Sequence, residues 1–331
     1  MKRSFRILLL FMLTACAASA ADQKALERRL SRLRNSFPGE MAIYMKHLPS
    51  GQTLAFDADR VYETFSVIKV PIMVEVLRRV EAGEFRLSDR IELKSSDARW
   101  PSGVLYALDP GLQPTIKDLL TLMIIISDNS ATDILADKVD RANITRTMRS
   151  LGLQQTTIEF SDLDYDRVWL GFLEPRFRQE SAEGVMKFPF GKYSGAQVRE
   201  AFRKAIYESD IYFGHSTARE MGILFEKMAR KELVSAAASQ LMIDILQKQQ
   251  VDDRFPRYLR DVEIAHKTGD GQPFIANDAG ILWVKGQPIV LVVFTGQHRG
   301  ETAALHDAIA RVAAEVGRHY GAALSPDYRP K

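Results

Sequence analysis

Ser66 and Lys69 stand three residues apart in Ser66-Val67-Ile68-Lys69, a spacing that on a helix puts a hydroxyl and an amine on one face, within reach of a shared proton. The run from Val67 to Val80, VIKVPIMVEVLRRV, is apolar on nearly every side until Arg78, the pattern of a helix buried all round. Pro71 is tolerated only near a helix start, so the helix begins close to Ser66. There the positive end of the helix dipole favours alkoxide character at the serine and an oxyanion beside it. An amine sunk in that apolar helix should lose basicity on desolvation and serve as a base near neutral pH. Taken alone the pair says little. With 21 serines and 16 lysines in 331 positions, chance supplies about one such spacing, and a helix cap beside a snorkelling lysine also accounts for it.

Two further groups follow in order. Ser127-Asp128-Asn129 makes a tight turn between an apolar helix, TIKDLLTLMIII, capped by Thr115, and a second helix through ATDILADKV, capped by Asn129 or Ser130. Lys267-Thr268-Gly269 belongs to VEIAHKT, which with AGILWV and IVLVVFT reads as an antiparallel meander turning at Gly269 to Gly271 and at Lys285-Gly286-Gln287.

The elements that must position these groups divide by place in the chain. Residues 24–35 read as an amphipathic helix, and MAIYMKHL and GQTLAFDAD as a hairpin around Pro49-Ser50-Gly51. Helices are expected at 143–151, 196–208, 216–231 and 235–249, and a last one at 301–319. The outcome is an α+β fold: an antiparallel sheet assembled from both ends of the chain and flanked by terminal helices, with an all-α lobe inserted between. No repeat, low-complexity tract or Pro/Gly/Ser linker separates independent units. One domain over 21–331 is therefore expected, its α/β lobe from 21–65 and 250–331, its helical lobe from 66–249, with an extended loop at 155–214.

The first twenty residues carry Lys2, Arg3 and Arg6, an apolar run from Ile7 to Leu13, and Ala18-Ser19-Ala20, the layout of a secretory signal. Leu13-Thr14-Ala15-Cys16 also resembles the box where bacterial lipoproteins are lipidated, so a lipid anchor at Cys16, the sole cysteine, is the alternative to a periplasmic or secreted protein. All three basic residues in excess over acidic ones lie there, and the remainder is formally neutral, which gives no argument for nucleic acid or an anionic membrane as partner. The six histidines show no metal spacing and no glycine-rich phosphate loop follows a strand, so neither metal nor cofactor is expected.

The ordered set Ser66-x-x-Lys69, Ser127-Asp128-Asn129 and Lys267-Thr268-Gly269 resembles that of the class A β-lactamases and penicillin-binding proteins. The flanks FSVIKVPIMVEVLRRVEAGEFRLSDRI, LLTLMIIISDNSATDIL and AGILWVKGQPIVLVVFTG extend the likeness over most of residues 40–320. The resemblance implies that Ser66 attacks a β-lactam carbonyl, that Lys69 helps remove its proton, and that Ser127 relays a proton to the leaving nitrogen. It implies that Asn129 donates to the substrate's side-chain amide, that Lys267 and Thr268 meet its carboxylate, and that Gly269 lets a substrate amide approach the strand. The oxyanion would lie between the backbone amides of Ser66 and Asp270. Asp128 is read as holding the turn through backbone amides. Trp100 falls where the family carries an aromatic wall at the pocket entrance, with packing inside a loop as the alternative.

The chain departs from that family in four ways. The family releases its acyl-enzyme with a glutamate in a Glu-x-x-Leu-Asn segment. Here Glu159-Phe160-Ser161-Asp162-Leu163-Asp164 matches only with one extra residue and Asp for Asn, which makes Glu159 the catalytic candidate, beside Asp162 and Asp164, with an acidic surface loop as the alternative. Residues 165–214 exceed what the related fold needs; they bring Trp169, Phe172, Phe177, Phe188 and Phe190 towards the site, and Glu174 or Glu183 as another base. Asp270 places an acid where an anionic substrate would bind. AGILWV lacks the arginine that often supports the substrate carboxylate, leaving Arg299 to replace it. Three functions follow: a serine β-lactamase acting as a monomer, a peptidase acting on D-Ala-D-Ala ends of peptidoglycan stem peptides, or a protein that is acylated by β-lactams and stays so.

Overall fold

The computed structural model of the chain describes residues 22–330; the expected export signal and Cys16 lie outside them. Helix α1 (22–35) leads into β1 (Glu40–His47), β2 (Thr53–Phe56) and the short β3 (Val61–Glu63). A 3₁₀ turn, Phe65–Ile68, runs directly into α2 (Lys69–Glu81), and α3 (Ile116–Ile125), α4 (Asn129–Val139) and α5 (Arg141–Ser150) follow. Next come α6 (Asp162–Gly171), α7 (Ala182–Met186), α8 (Gly195–Glu208), β4 (His215–Thr217), α9 (Ala218–Ala229) and α10 (Ala236–Leu246). The chain closes with β5 (Leu259–Arg260), β6 (Glu263–Gly271), β7 (Ile275–Val284), β8 (Gln287–Gly296), α11 (Thr302–His319) and β9 (Ala323–Leu324).

The main sheet has the order β2-β1-β8-β7-β6, with every neighbouring pair antiparallel, so it is assembled from both ends of the chain and leaves β6 at an edge. The period-two alternation of the strands gives each face a core. Ile43, Met45, Leu291 and Val293 turn to Leu26 and Leu30 of α1 and Ile309 and Val316 of α11. Ala42, Tyr44, Val292 and Phe294 join the larger core with α2, α9 and their neighbours. In α2, Val70, Ile72, Met73, Val74, Val76 and Leu77 are all buried, as the unbroken apolar run requires. No described helix is long and apolar enough to cross a membrane.

Two local expectations change. The first meander turn lies beyond the glycines: β6 continues through Gly269 and Gly271, paired with Asn277 and Ile275, because the sheet ladder outweighs the turn preference of two glycines. The segment read as an extended loop over 155–214 is largely helical, holding α6, α7 and α8. Its ends meet where the backbones of Thr157 and His215 exchange two hydrogen bonds of 3.0 Å. Inside, Phe177 meets Phe188 at 4.6 Å between ring centroids, Phe188 meets Phe190 at 4.8 Å, and Trp169 stacks on Phe190 at 5.7 Å. These rings continue into the larger core, where Phe65 meets Tyr165 at 5.8 Å and Phe202 at 6.3 Å.

Asn277, fully buried on β7, fastens the sheet to the segment ahead of Ser66. Its Nδ2 donates to the carbonyls of Glu63 and Thr64 at 2.9 and 3.1 Å, and its Oδ1 accepts from the Thr295 amide at 2.9 Å. Asn277→Ala should lower the unfolding free energy by about 2 kcal/mol, since it removes three hydrogen bonds to the backbone and leaves the buried Thr295 amide without this acceptor. Urea unfolding midpoints measure this, and an unchanged midpoint would refute the assigned role.

Candidate active site

Ser66 sits in the 3₁₀ turn rather than in the helix proper, which begins at Lys69. The turn is pinned on several sides. Val67 and Ile68 are fully buried anchors, and Phe65 takes a left-handed backbone conformation with φ +46°. The carboxyl group of Glu63 accepts from the amides of Phe65 and Gly214 at 3.3 and 3.0 Å. Thr64 donates to the Gly214 carbonyl through its amide at 2.7 Å and its hydroxyl at 2.8 Å. Strand β6 passes so close that a Cβ on Gly269 would lie 2.3 Å from the Thr64 carbonyl oxygen and 3.2 Å from the Ser66 nitrogen. Only glycine permits that approach.

Lys69 is fully buried. Its Nζ donates to the Ser127 carbonyl at 2.7 Å, to Ser127 Oγ at 3.1 Å and to Asn129 Oδ1 at 2.7 Å, all in one turn; none of these bonds reaches Ser66. Burial pushes the amine down to about 8, although Asp162, Asp128 and Asp133 act to raise it. Ser127 has φ +58°, which turns its hydroxyl towards a second amine: Lys267 Nζ donates to Ser127 Oγ at 3.0 Å and to the Thr268 carbonyl at 2.7 Å. Lys267 is also fully buried, and burial together with Lys69 holds it well below its ordinary value.

The turn around Ser127 is held by Asp128, which accepts from the amides of Val104, Leu105 and Ala131 at 2.6, 2.9 and 2.9 Å. The cap of α4 is thus Asp128, not Asn129 or Ser130, because its carboxylate can bridge to the loop above while it caps. Asn129 is left free to face Lys69 and to donate from Nδ2 to the Trp100 carbonyl at 2.9 Å.

A cleft of about 380 Å³ opens on Ser66, Ser127 and Asn129, with Trp100, Asp162, Asp166, Asp270 and Gln272 around it. Trp100 does both things expected of it: it lines the mouth and packs edge-on against Phe190 at 4.9 Å. Lys267 and Thr268 do not reach the cleft surface; both side chains are buried behind its wall. Asp270 does line the cleft but is not a bare charge. It pairs with Arg254, accepts from Gln272 Nε2 at 2.8 Å and lies 3.7 Å from His306 Nε2. Although burial pushes its carboxyl up, Arg254 and His306 hold it below the usual carboxylate range, so the expected repulsion of anions is largely offset at its source.

Arg254 was not read from sequence. It is buried beneath β6, where Nη1 donates to the carbonyls of Asn277 at 2.8 Å and Gly269 at 3.3 Å. Arg299 is exposed, absent from the cleft lining, and engaged through its backbone amide with the Pro38 carbonyl at 3.1 Å. The cation beside the substrate-binding strand is therefore Arg254.

The acids also sort differently. Glu159 is exposed on the connection before α6 and absent from the cleft lining, because the cap of α6 at Ser161 lets only later residues turn inward. Asp164 completes that cap with Ser161; Glu174 binds Tyr193 Oη at 2.7 Å and Arg176 at 2.8 Å; Glu183 is exposed. Besides Asp270, the acids in the cleft are Asp162 and Asp166, four residues apart and so on one face of α6. The amide of Asp162 donates to Asp133 Oδ1 at 3.0 Å, and Asp133 is fixed by Arg99 at 2.5 Å and Arg141 at 2.8 Å. Asp162 Oδ2 is buried without a hydrogen-bond partner, and burial with the Asp133 charge raises this carboxyl well above its ordinary value. Asp166 accepts from Trp169 Nε1 at 2.9 Å and is pushed up to about 7 by burial. Asp162 was among the candidates read from sequence and Asp166 was not; the signal for both is Asp162-x-x-Tyr165-Asp166, the Glu-x-x-Leu-Asn spacing with a shorter acid. Among the described residues no three His, Cys, Asp or Glu side chains gather as a metal site.

Comparison with known proteins gives one family model, described as the beta-lactamase enzyme family, matching residues 25–320. A beta-lactamase of Streptomyces albus G is 29% identical over 299 residues, covering 88% of this chain and 82% of that protein. Among solved structures, a beta-lactamase from Sphaerobacter thermophilus superposes with a TM-score of 0.71 at 24% identity, covering 89% of this chain and 97% of that one. A mutant of PBP-A in an acyl-enzyme complex with penicillin G superposes with a TM-score of 0.69 at 22% identity, covering 91% and 96%.

Buried acids that hold protons in the folded state make stability depend on pH. Glu63 is pushed up to about 8 and Asp166 to about 7, both by burial, so the native state binds more protons than the unfolded chain from the ordinary carboxyl range up to those values. Stability is then lost as pH rises through that window. Asp166→Asn removes its share of the penalty while keeping an acceptor for Trp169. The stability gained by this substitution should be larger by about 2 kcal/mol at about pH 8 than at about pH 5, and denaturant titrations at the two pH values measure it. A gain independent of pH would contradict the assignment.

Proposed function

The chain belongs to the β-lactamase enzyme family, and we propose on that footing that it is a serine β-lactamase which opens the lactam ring through an acyl-enzyme on Ser66. The observation that carries this reading is the placement of Ser127 Oγ, 3.1 Å from Lys69 Nζ and 3.0 Å from Lys267 Nζ, beside the cleft that opens on Ser66. An oxygen that accepts from two amines has its own proton left to donate. That proton is what the lactam nitrogen needs when its bond to the carbonyl carbon breaks.

In the first half-reaction Ser66 Oγ bonds to the lactam carbonyl carbon and its proton passes to Lys69. An amine lowered to about 8 has a neutral fraction near neutral pH, as a base must. The carbon–nitrogen bond breaks, the nitrogen takes the Ser127 proton, and a lysine ammonium restores it. The backbone amides of Ser66 and Asp270 are placed to receive the oxyanion, β6 being pressed against the nucleophile turn at Gly269. The free edge of β6 offers unpaired backbone groups to an extended acyl amide, as strand addition does.

In the second half-reaction a water attacks the ester carbonyl and yields its proton to Asp162, whose unpartnered Oδ2 marks the base; Asp166, on the same helix face, orients that water. The carbon–oxygen bond to Ser66 breaks and Oγ recovers a proton. The shorter acid, and the burial that raises both carboxyls above their ordinary range, favour a second reading: an acyl-enzyme that forms readily and is released slowly, as in a penicillin-binding peptidase directed at D-Ala-D-Ala ends. The amino-terminal layout supports export to the periplasm or beyond, or a lipid anchor at Cys16.

A chromogenic cephalosporin followed by absorbance and intact-protein mass spectrometry separates the readings. Sustained turnover supports the β-lactamase, whereas a stoichiometric burst with a lasting adduct supports the peptidase-like protein. Ser66→Ala should abolish the adduct, and an adduct that survives it refutes the nucleophile. Lys69→Ala should slow acylation by ~10² to 10⁴. Asp162→Asn should leave acylation standing while the acyl-enzyme accumulates; undiminished release would transfer the role of base elsewhere.

A further inference from the structure

The formal neutrality of residues 21–331 conceals an uneven distribution of charge. Residues 22–36 carry Lys24, Arg28, Arg29, Arg32 and Arg34 against Asp22 and Glu27, five cations against two acids on one short element. Arg29 and Arg34 turn inward, to Glu315 and Asp57. Lys24, Arg28 and Arg32 are exposed, make no ion pair among the described residues and recur every four positions, so they form a single outward stripe along α1. Resting on export of the chain, we propose that this stripe docks the protein on the surface of an anionic phospholipid bilayer.

The ground beside the stripe is suited to phosphate groups. A hollow of about 570 Å³ is lined by Lys24, Arg28, Ser31 and Arg32, with Phe56 and one acid, Glu27. A second, of about 720 Å³, opens between α1, the end of α11 and the carboxy-terminal tail, and Arg32 lines both. In the second, Arg29, Arg32 and Arg318 stand against one acid, Glu315. That acid is already engaged by Arg29 at 2.7 Å, by Arg318 at 2.6 Å and by Tyr328 Oη at 2.5 Å, which leaves cationic charge in excess. Guanidinium forks match the oxygens of a phosphodiester, and Leu33, Tyr328 and Pro330 add apolar surface for the glycerol beneath it.

Two observations choose a bilayer over a soluble anion. Asp22, at the start of α1, follows Cys16 by six positions, so a lipid attached there would hold the stripe within about 20 Å of the membrane, where basic groups beside an anchor gain from an anionic surface. The stripe also lies away from the chemistry. Leu26 and Leu30 pack α1 beside α11 on one face of the main sheet, whereas Val67 and Ile68 of the nucleophile turn belong to the core on the other. A docked molecule therefore keeps its cleft open to the aqueous side.

The test sediments the full exported protein with vesicles of phosphatidylcholine alone and with vesicles that also contain phosphatidylglycerol, and reads the ratio of the two partition coefficients at low salt. A lipid on Cys16 favours both vesicles alike, so the ratio isolates the contribution of charge. The wild type should give a ratio of about a hundredfold, as three cations at an anionic surface produce, falling to about threefold in about 0.5 M salt. Lys24→Gln, Arg28→Gln and Arg32→Gln together should bring the low-salt ratio to about threefold. Lys117→Gln, Arg146→Gln and Arg149→Gln, which remove three exposed cations of the helical lobe, should leave it within about twofold of the wild type; circular dichroism checks that both triple variants are folded. A wild-type ratio near one, or an equal loss in the two variants, overturns the docking face. Full release of the wild type by glycerol phosphate at constant ionic strength also overturns it, and assigns the hollows to a soluble phosphate ester. None of these readings depends on Ser66, so the docking face and the nucleophile fail separately.

Discussion

Two ammonium groups removed from water and aimed at one hydroxyl set the terms for the rest of this molecule. Each buried cation costs several kcal/mol before compensation, and Lys69 and Lys267 also repel each other through Ser127. The chain offsets this in two ways. It lowers the basicity of both amines, and it gathers Asp162, Asp128, Asp133 and Asp270 around Lys69, each acting to keep its proton. The left-handed backbone at Ser127, the three amides gathered by Asp128 and the hydroxyl of Ser102, 2.7 Å from the Ser127 carbonyl, all hold the one turn on which both lysines converge. A charge balance this tight is also a proton balance. Two lysines that have lost basicity stand near Asp162, a carboxyl that has gained it, the kind of opposed shift that acid–base chemistry draws on.

The nucleophile is treated in the same spirit with backbone instead of charge. Glu63, Thr64, Asn277 and Gly269 fix the turn at Ser66 to the neck of the helical insert and to strands β6 and β7. The serine hydroxyl is thus placed by a second layer of groups behind it.

What could be read from the sequence divides along the same line. The helices and the meander were legible because their periodicities are local, and the three motifs because each is a few residues long. Contacts between distant positions were not legible. Arg254 reads as a surface residue ahead of a strand until β6 and β7 fold over it, and the tie from Asn277 to Glu63 crosses 214 positions. Asp162 stood among the candidates but Asp166 did not, for a different reason: the spacing was intact but the expected glutamate was one methylene shorter. Glu159, the residue of the expected type, lay one turn too early, ahead of the Ser161 cap.

The paired backbones of Thr157 and His215 also bear on heredity. Because the two ends of the insert lie side by side, residues 158–214 leave the body of the protein and return to it at one point. Closing a longer or shorter excursion across such a neck changes the entropy of the chain only slowly with length. The stretch that walls one side of the cleft can thus be exchanged as one contiguous piece of gene, while the lysines, the serine turn and the sheet are inherited untouched.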